Sequence, residues 1–356
     1  MLVGGGPHPA GAYQWFVGRS GDGDIVVIAA TTNMDADRQS DAGLADEFMG
    51  YGARSVDIFD FQVDSFGDFN EDSFIVQNTL GFGSEFMDRL GGAEGVYFAG
   101  GDQYPYSKLL FFDQAAASLI ENSCNLPGTM AIGGTSAGMA ALAEFPYTAA
   151  YTRDGALELT SGEVLDNMHT PRFYQNNQYA IRSGTSELGL HLDSLNDTIT
   201  ETHFNDKDRL GRFFCFMGAT LLSGYTIGHG QLTDSVLGIA ADRGSALTIT
   251  PNGTCDVFGA SGNNSTGTIY FAKAFADNIN HLGLTQPDPN NPAKVRLRLF
   301  GIQLEWYQAS YDSPFSISDV FADNRNQRAV FSVEDGTVRW DDGSLPPDFE
   351  RGKDYA

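Results

Sequence analysis

Residues Asp24–Ala30 (DIVVIAA) form an unbroken apolar run of strand length, the pattern of a strand covered on both faces. Ser55–Phe61 (SVDIFDF) alternates with period two, and Gly95–Ala99 (GVYFA) and Thr129–Ile132 read as further strands. Leu2–Gly6 reads as a short buried strand running into a glycine turn. Helical spacing fills the intervals: Asp41–Tyr51, a segment through Glu85–Leu90 that stops at Gly91-Gly92, Tyr106–Glu121 and Ser136–Glu144. This alternation predicts an α/β fold with a doubly wound, mostly parallel sheet and right-handed crossovers. In such sheets sites form at the carboxyl ends of the strands. Both glycine-rich turns, after Ala99 and after Ile132, fall there.

The second half is less regular. Ile199–Phe204, Val236–Ala241 and Ala246–Ile249 read as strands, and Lys207–Leu222 as a helix. Beyond Cys255 the chain is rich in Gly, Asn, Asp and Pro, with one strong strand signal at Val295–Trp306. Two units are therefore expected: an α/β domain over 1–254, and a C-terminal extension over 255–356, packed on the core or forming a small β-rich domain.

Composition narrows the partners. Of 356 residues, 42% are hydrophobic and 12% aromatic, so a large core is within reach and global disorder is excluded. The net charge of -25 repels nucleic acid and anionic membranes, and neither is expected as a partner. No run reaches the roughly 18 apolar residues of a membrane span. The opening Met1–Gly6 reads as strand and turn rather than as a leader. The acidic charge suits a secreted or periplasmic setting and is compatible with the cytoplasm. Cys124, Cys215 and Cys255 form no CxxC pair and read as small buried residues.

The chemistry concentrates at Gly134-Thr135-Ser136-Ala137-Gly138. Gly-x-Ser-x-Gly between a strand and a helix is a nucleophile elbow: the glycines permit a sharp turn that exposes the hydroxyl, and the following helix supplies N–H groups for developing charge. Such a serine needs a base, and the chain offers His8, His169, His191, His203, His229 and His281.

Three segments together resemble the cyanophycinase and peptidase E family of serine peptidases (family S51), whose fold is similar to class I glutamine amidotransferases. They are Gly100-Gly101-Asp102-Gln103, Gly133–Gly138, and His203-Phe204 followed by Lys207, Arg209, Gly211 and Arg212. The opening Gly4-Gly5-Gly6 fits as well, and the resemblance spans residues 1–250. It implies a nucleophile at Ser136, a general base at His203, and an oxyanion hole from the N–H groups of Gly101 and Ala137. It further implies Gln103 beside the serine, and Glu201, Lys207, Arg209 and Arg212 around the substrate, the cations holding its carboxylates. The implied substrate is cyanophycin or a β-aspartyl peptide, with no cofactor and no metal. Members of the family often form homodimers.

One position departs from the family. Its triad acid lies in a stretch similar to Gly-Ile-Asp-Glu, whereas this chain has Gly238-Ile239-Ala240-Ala241-Asp242-Arg243, with arginine at the glutamate position. Asp242 is the leading candidate for the acid, with Glu201 and Asp206 as alternatives. The alternative function is a catalytically impaired relative that binds aspartyl or arginyl peptides, or another hydrolase of the same fold. Asp64, Asp68, Asn70 and Asp72 are oxygen donors that lack a full calcium-loop spacing, and no His/Cys spacing suggests zinc.

Overall fold

The structure is a computed structural model. It describes residues 1–30, 43–61, 84–101, 103–112, 114–126, 128–147, 190–207, 209–222, 227–228, 231–232, 235–260, 267–276, 286–288, 291–296, 299–310, 314–317, 320, 327–334 and 337–340.

The first sheet begins with β1 (Leu2–Val3), β2 (Asp24–Ala30), β3 (Ser55–Asp60), β4 (Gly95–Gly101) and β5 (Ala131–Thr135). These five run parallel in the order β1-β5-β4-β2-β3. The next strands are β6 (Thr198–Glu201), the pair β7 (Ile227–Gly228) and β8 (Gln231–Leu232), β9 (Ser235–Ala241), β10 (Ser245–Ile249) and β11 (Thr254–Gly259). The last are β12 (Thr268–Ala276), the pair β13 (Gln286–Asp288) and β14 (Asn291–Arg296), β15 (Leu299–Ser310), β16 (Phe315–Ser316), β17 (Gln327–Glu334) and β18 (Thr337–Trp340). Antiparallel β10, β11 and β16 extend the first sheet beyond β1 to eight strands. A second, six-stranded sheet runs β18-β17-β15-β12-β9-β6, antiparallel except for the β6–β9 pair.

The apolar run of β2 explains why both faces of the first sheet are covered. Ile25, Val27 and Ala29 enter one core with Tyr13, Phe16, Phe48 and Tyr97. Val26, Ile28 and Ala30 enter the other with Phe86, Leu90, Phe98, Leu109, Ile120 and Met139. Period-two alternation thus sends successive residues to opposite layers. Helix Ala10–Arg19 and helical residues 43–50 supply the first layer. Helical residues 84–92 and helices Gln103–Phe112, Gln114–Asn125 and Ala137–Ala141 supply the second.

The expected boundary at 254/255 falls inside β11. Strands from beyond it join both sheets: β16 pairs with β11, and β12 pairs with β9 over seven residue pairs. The one strong strand signal beyond Cys255, Val295–Trp306, falls across β14 and β15 rather than on a single strand, and β12, β15, β17 and β18 together build most of the second sheet. The expected strand at Ile199–Phe204 is also shorter. It ends at Glu201, and the residues after it turn to form the site.

Candidate active site

Ser136 directly follows β5 and directly precedes helix Ala137–Ala141. Its backbone is left-handed, at φ 51° and ψ -116°, a conformation that costs about 1–3 kcal/mol for a residue with a side chain. The flanking glycines make that turn possible by close approach. A Cβ on Gly134 would lie 2.6 Å from the Gly138 carbonyl, and one on Gly138 would run into the Phe98 carbonyl oxygen on neighbouring β4. Met139, Ala140 and Ala141 are buried and hold the elbow against the sheet.

His203 reaches this serine from the second sheet. The β6 chain continues through buried Thr202 and then turns at His203, which is also left-handed at φ 47°. The His203 Nε2 lies 2.9 Å from Ser136 Oγ. Its Nδ1 lies 3.4 Å from Asp206 Oδ2, within the same turn. Backbone bonds to the end of β1 fix both residues: the Ser136 N–H donates to the Val3 carbonyl at 2.9 Å, and the His203 N–H to the Gly4 carbonyl at 2.9 Å. Burial holds the imidazole below its ordinary pKa, Asp206 opposes that shift, and the charges of Lys207 and Arg243 reinforce it. At neutral pH the ring is therefore an unprotonated acceptor for the serine proton.

Asp242 does not meet His203. Its Oδ1 accepts the Asn205 N–H at 3.1 Å and its Oδ2 accepts the Tyr270 hydroxyl at 3.1 Å. It anchors the turn that carries the histidine, while Asp206 takes the position beside Nδ1. Arg243 is exposed, with its side chain against Gly6.

Three of the residues expected around the substrate are instead buried beneath the histidine turn. Arg212 donates to Glu201 through Nε and Nη2, both at 2.6 Å. Arg209 donates from Nη1 to the Thr202 carbonyl and hydroxyl, both at 2.8 Å, and to Glu201 at 3.3 Å. The side chains of Glu201, Arg209 and Arg212 are 3%, 8% and 2% exposed, too enclosed to receive a substrate carboxylate. Arg212 also lies over the Tyr147 ring, 5.0 Å from its centroid. This cluster clamps residues 201 and 202, immediately before His203.

The other expected residues lie at the end of β4, at the start of the helix after it, at the start of the elbow helix and in the histidine turn. Gly101, at φ 128°, ends β4. A Cβ on its neighbour Gly100 would lie 3.8 Å from Ser136 Cβ. Gln103 opens the next helix and is half-buried. Ala137 is the first residue of the elbow helix, so its N–H has no partner within that helix. Lys207 is exposed, and its N–H donates to the His203 carbonyl at 3.1 Å. Sequence reasoning missed the carbonyls of Val3 and Gly4 and the clamp on Thr202. The Gly4-Gly5-Gly6 run was the available signal for the first.

Two other histidines have different partners. His8 lies 2.6 Å from Glu47 and stacks on Tyr13, and His191 lies 3.4 Å from Glu144. His169, His229 and His281, and the calcium candidates Asp64, Asp68, Asn70 and Asp72, lie outside the described residues. Among the described residues no group of three or more His, Cys, Asp or Glu is placed to hold a metal ion. No helix among them is long and apolar enough to cross a membrane. Burial pushes the thiols of Cys124 and Cys255 up to about 12, so neither is a thiolate nucleophile at neutral pH.

Mixed α/β architecture with a serine–histidine pair at the carboxyl ends of its strands is the class that fold and site define. No family model matches the chain, and no curated protein matches it.

Proposed function

We propose that the protein is a serine hydrolase, with Ser136 as nucleophile, His203 as general base and Asp206 as the acid orienting the imidazole. The observation that carries this reading is the 2.9 Å contact from Ser136 Oγ to His203 Nε2 at a serine held in a left-handed elbow. The hydroxyl proton passes to Nε2 as Oγ attacks a carbonyl carbon. The same proton then goes to the departing amine, leaving an ester on Ser136. A water molecule, deprotonated by Nε2, attacks that ester, and the proton returns to Oγ as the acid product leaves. The N–H groups of Ala137 and Gly101 are the assigned donors to the oxyanion. Each such donor typically contributes about 3 kcal/mol.

The resemblance of the GGDQ, GGTSAG and His203-Phe204 segments to cyanophycinase and peptidase E supports a peptidase acting beside aspartyl residues, on cyanophycin or β-aspartyl peptides. With Arg209 and Arg212 bonded to Glu201, the exposed cations assigned to a substrate carboxylate are Lys207 and Arg243. The acidic surface, at net charge -25, favours approach of the guanidinium groups of cyanophycin.

The test is release of soluble β-Asp-Arg from insoluble cyanophycin by the parent and by Ser136→Ala. Release by the parent alone supports nucleophile and substrate class together. Release by neither overturns the cyanophycin reading. Tight binding of the polymer without turnover would then favour an impaired peptide-binding relative, in line with an acid at Asp206 that is partly exposed.

A further inference from the structure

Three consecutive carbonyls at the end of β1 each accept a backbone N–H from a different part of the site. Val3 takes Ser136 at 2.9 Å, Gly4 takes His203 at 2.9 Å, and Gly5 takes Gly244, next to Arg243, at 2.7 Å. The imidazole lies directly over this ledge. A Cβ on Gly5 would run into Nε2 and Cε1 of His203 and would stand 3.0 Å from Cδ2. Nε2 is the atom that faces Ser136 Oγ. Gly5 is also left-handed, at φ 95°. The backbone to which both reacting residues are bonded thus leaves at Gly5 the space that the ring fills.

We propose that Gly5 is a positioning residue for the Ser136–His203 pair, its missing side chain setting the height at which Nε2 meets Oγ. The inference rests on the hydrolase reading for its catalytic consequence, and on packing alone for its structural one. The ring cannot move aside freely, because its main chain is bonded to Gly4 and its Nδ1 faces Asp206. A methyl group on Gly5 therefore displaces the ring from the serine instead of being absorbed by a flexible neighbour.

The experiment compares Gly5→Ala with Gly21→Ala in the full chain. Gly21 is also left-handed, at φ 62°, but has open space around it, so it carries the backbone strain without the collision. The reactive probe is a fluorophosphonate that labels activated serines. Gly5→Ala is expected to lower its maximal inactivation rate at least 100-fold, with the probe's half-saturating concentration changed less than threefold, while Gly21→Ala stays within threefold of the parent on both. Gly5→Ala labelling as fast as Gly21→Ala would overturn the proposal.

A melting cycle keeps it testable if Gly5→Ala folds poorly. The drop in Tm caused by Gly5→Ala is expected to shrink by at least half in a His203→Ala background, where the ring is gone. Equal drops in both backgrounds would overturn the seating of the ring on Gly5. If the parent itself does not label, the hydrolase reading fails, and the melting cycle still decides the packing role.

Discussion

Asp206 Oδ2 stands 3.4 Å from His203 Nδ1, three positions further along the same turn, so the histidine and its carboxylate partner travel on one short piece of chain. The carboxylate is 36% exposed, so solvent screens its attraction for a protonated ring. Replacing a buried triad acid by its amide costs about 10⁴-fold in kcat. Asp206→Asn is expected to cost about 10- to 100-fold, less than that limit because of this exposure. Asp242→Asn is expected to cost less activity than Asp206→Asn, since Asp242 bonds to Asn205 and Tyr270 rather than to the ring. Steady-state rates of the two variants measure this, and the opposite order would return the acid role to Asp242.

The pH dependence follows from the groups facing the imidazole. His203 is lowered chiefly by burial, raised by Asp206, and lowered further by Lys207 and Arg243. The acid limb of the kcat/KM profile is therefore expected below the ordinary histidine value of about 6.5. Arg243→Gln should move that limb up and Asp206→Asn should move it down. A folded-state pKa below the unfolded one means that the unfolded chain binds the proton more readily. The stability associated with neutral His203 is thus full above about 6.5 and is lost as pH falls toward the folded value.

Strain at the elbow predicts a trade between stability and activity. Ser136→Gly should abolish turnover, by up to about 10⁶-fold where the nucleophile is lost. It should also raise the unfolding free energy by about 1–2 kcal/mol, because glycine adopts φ 51° without penalty. Urea denaturation measures the gain. A destabilised Ser136→Gly would mean that the elbow is unstrained.

The cluster under the histidine turn should be the most sensitive to charge removal. Glu201→Ala would leave the guanidinium groups of Arg209 and Arg212 enclosed without their carboxylate. Removing one partner from a buried ion pair costs about 3–5 kcal/mol. The loss should appear in urea denaturation, together with reduced turnover because residues 201 and 202 lead into His203.

The first half of the fold was legible because each strand carries its own signal. DIVVIAA reads as doubly covered from its sequence alone, and β2 spans those same seven residues. The elbow was legible for the same reason: a strand, a serine flanked by glycines and a run of strong helix formers are all local. β12 was not, because TIYFAKAFA lies in a Gly- and Asn-rich stretch and carries Lys273. Its placement comes from pairing with β9 and β15, which are distant in sequence. Arg209 and Arg212 misled for a related reason. Three residues apart in the expected helix Lys207–Leu222, they look like a charged outer face, whereas Arg209 precedes the observed helix, Leu210–Leu222, and the Glu201 that draws both inward sits on β6. Asp242 was favoured over Asp206 by resemblance, whereas which carboxylate stands beside the His203 Nδ1 depends on how the chain turns after β6.

The two-residue strand β1 gives the site a common datum. Val3 and Gly4 are adjacent residues, and through them Ser136 and His203 are both measured from the same origin. The serine belongs to the first sheet and the histidine to the end of a strand in the second. A displacement of β1 carries Ser136 and His203 together, so the interval between Oγ and Nε2 survives motions that shift each of them against the rest of the protein.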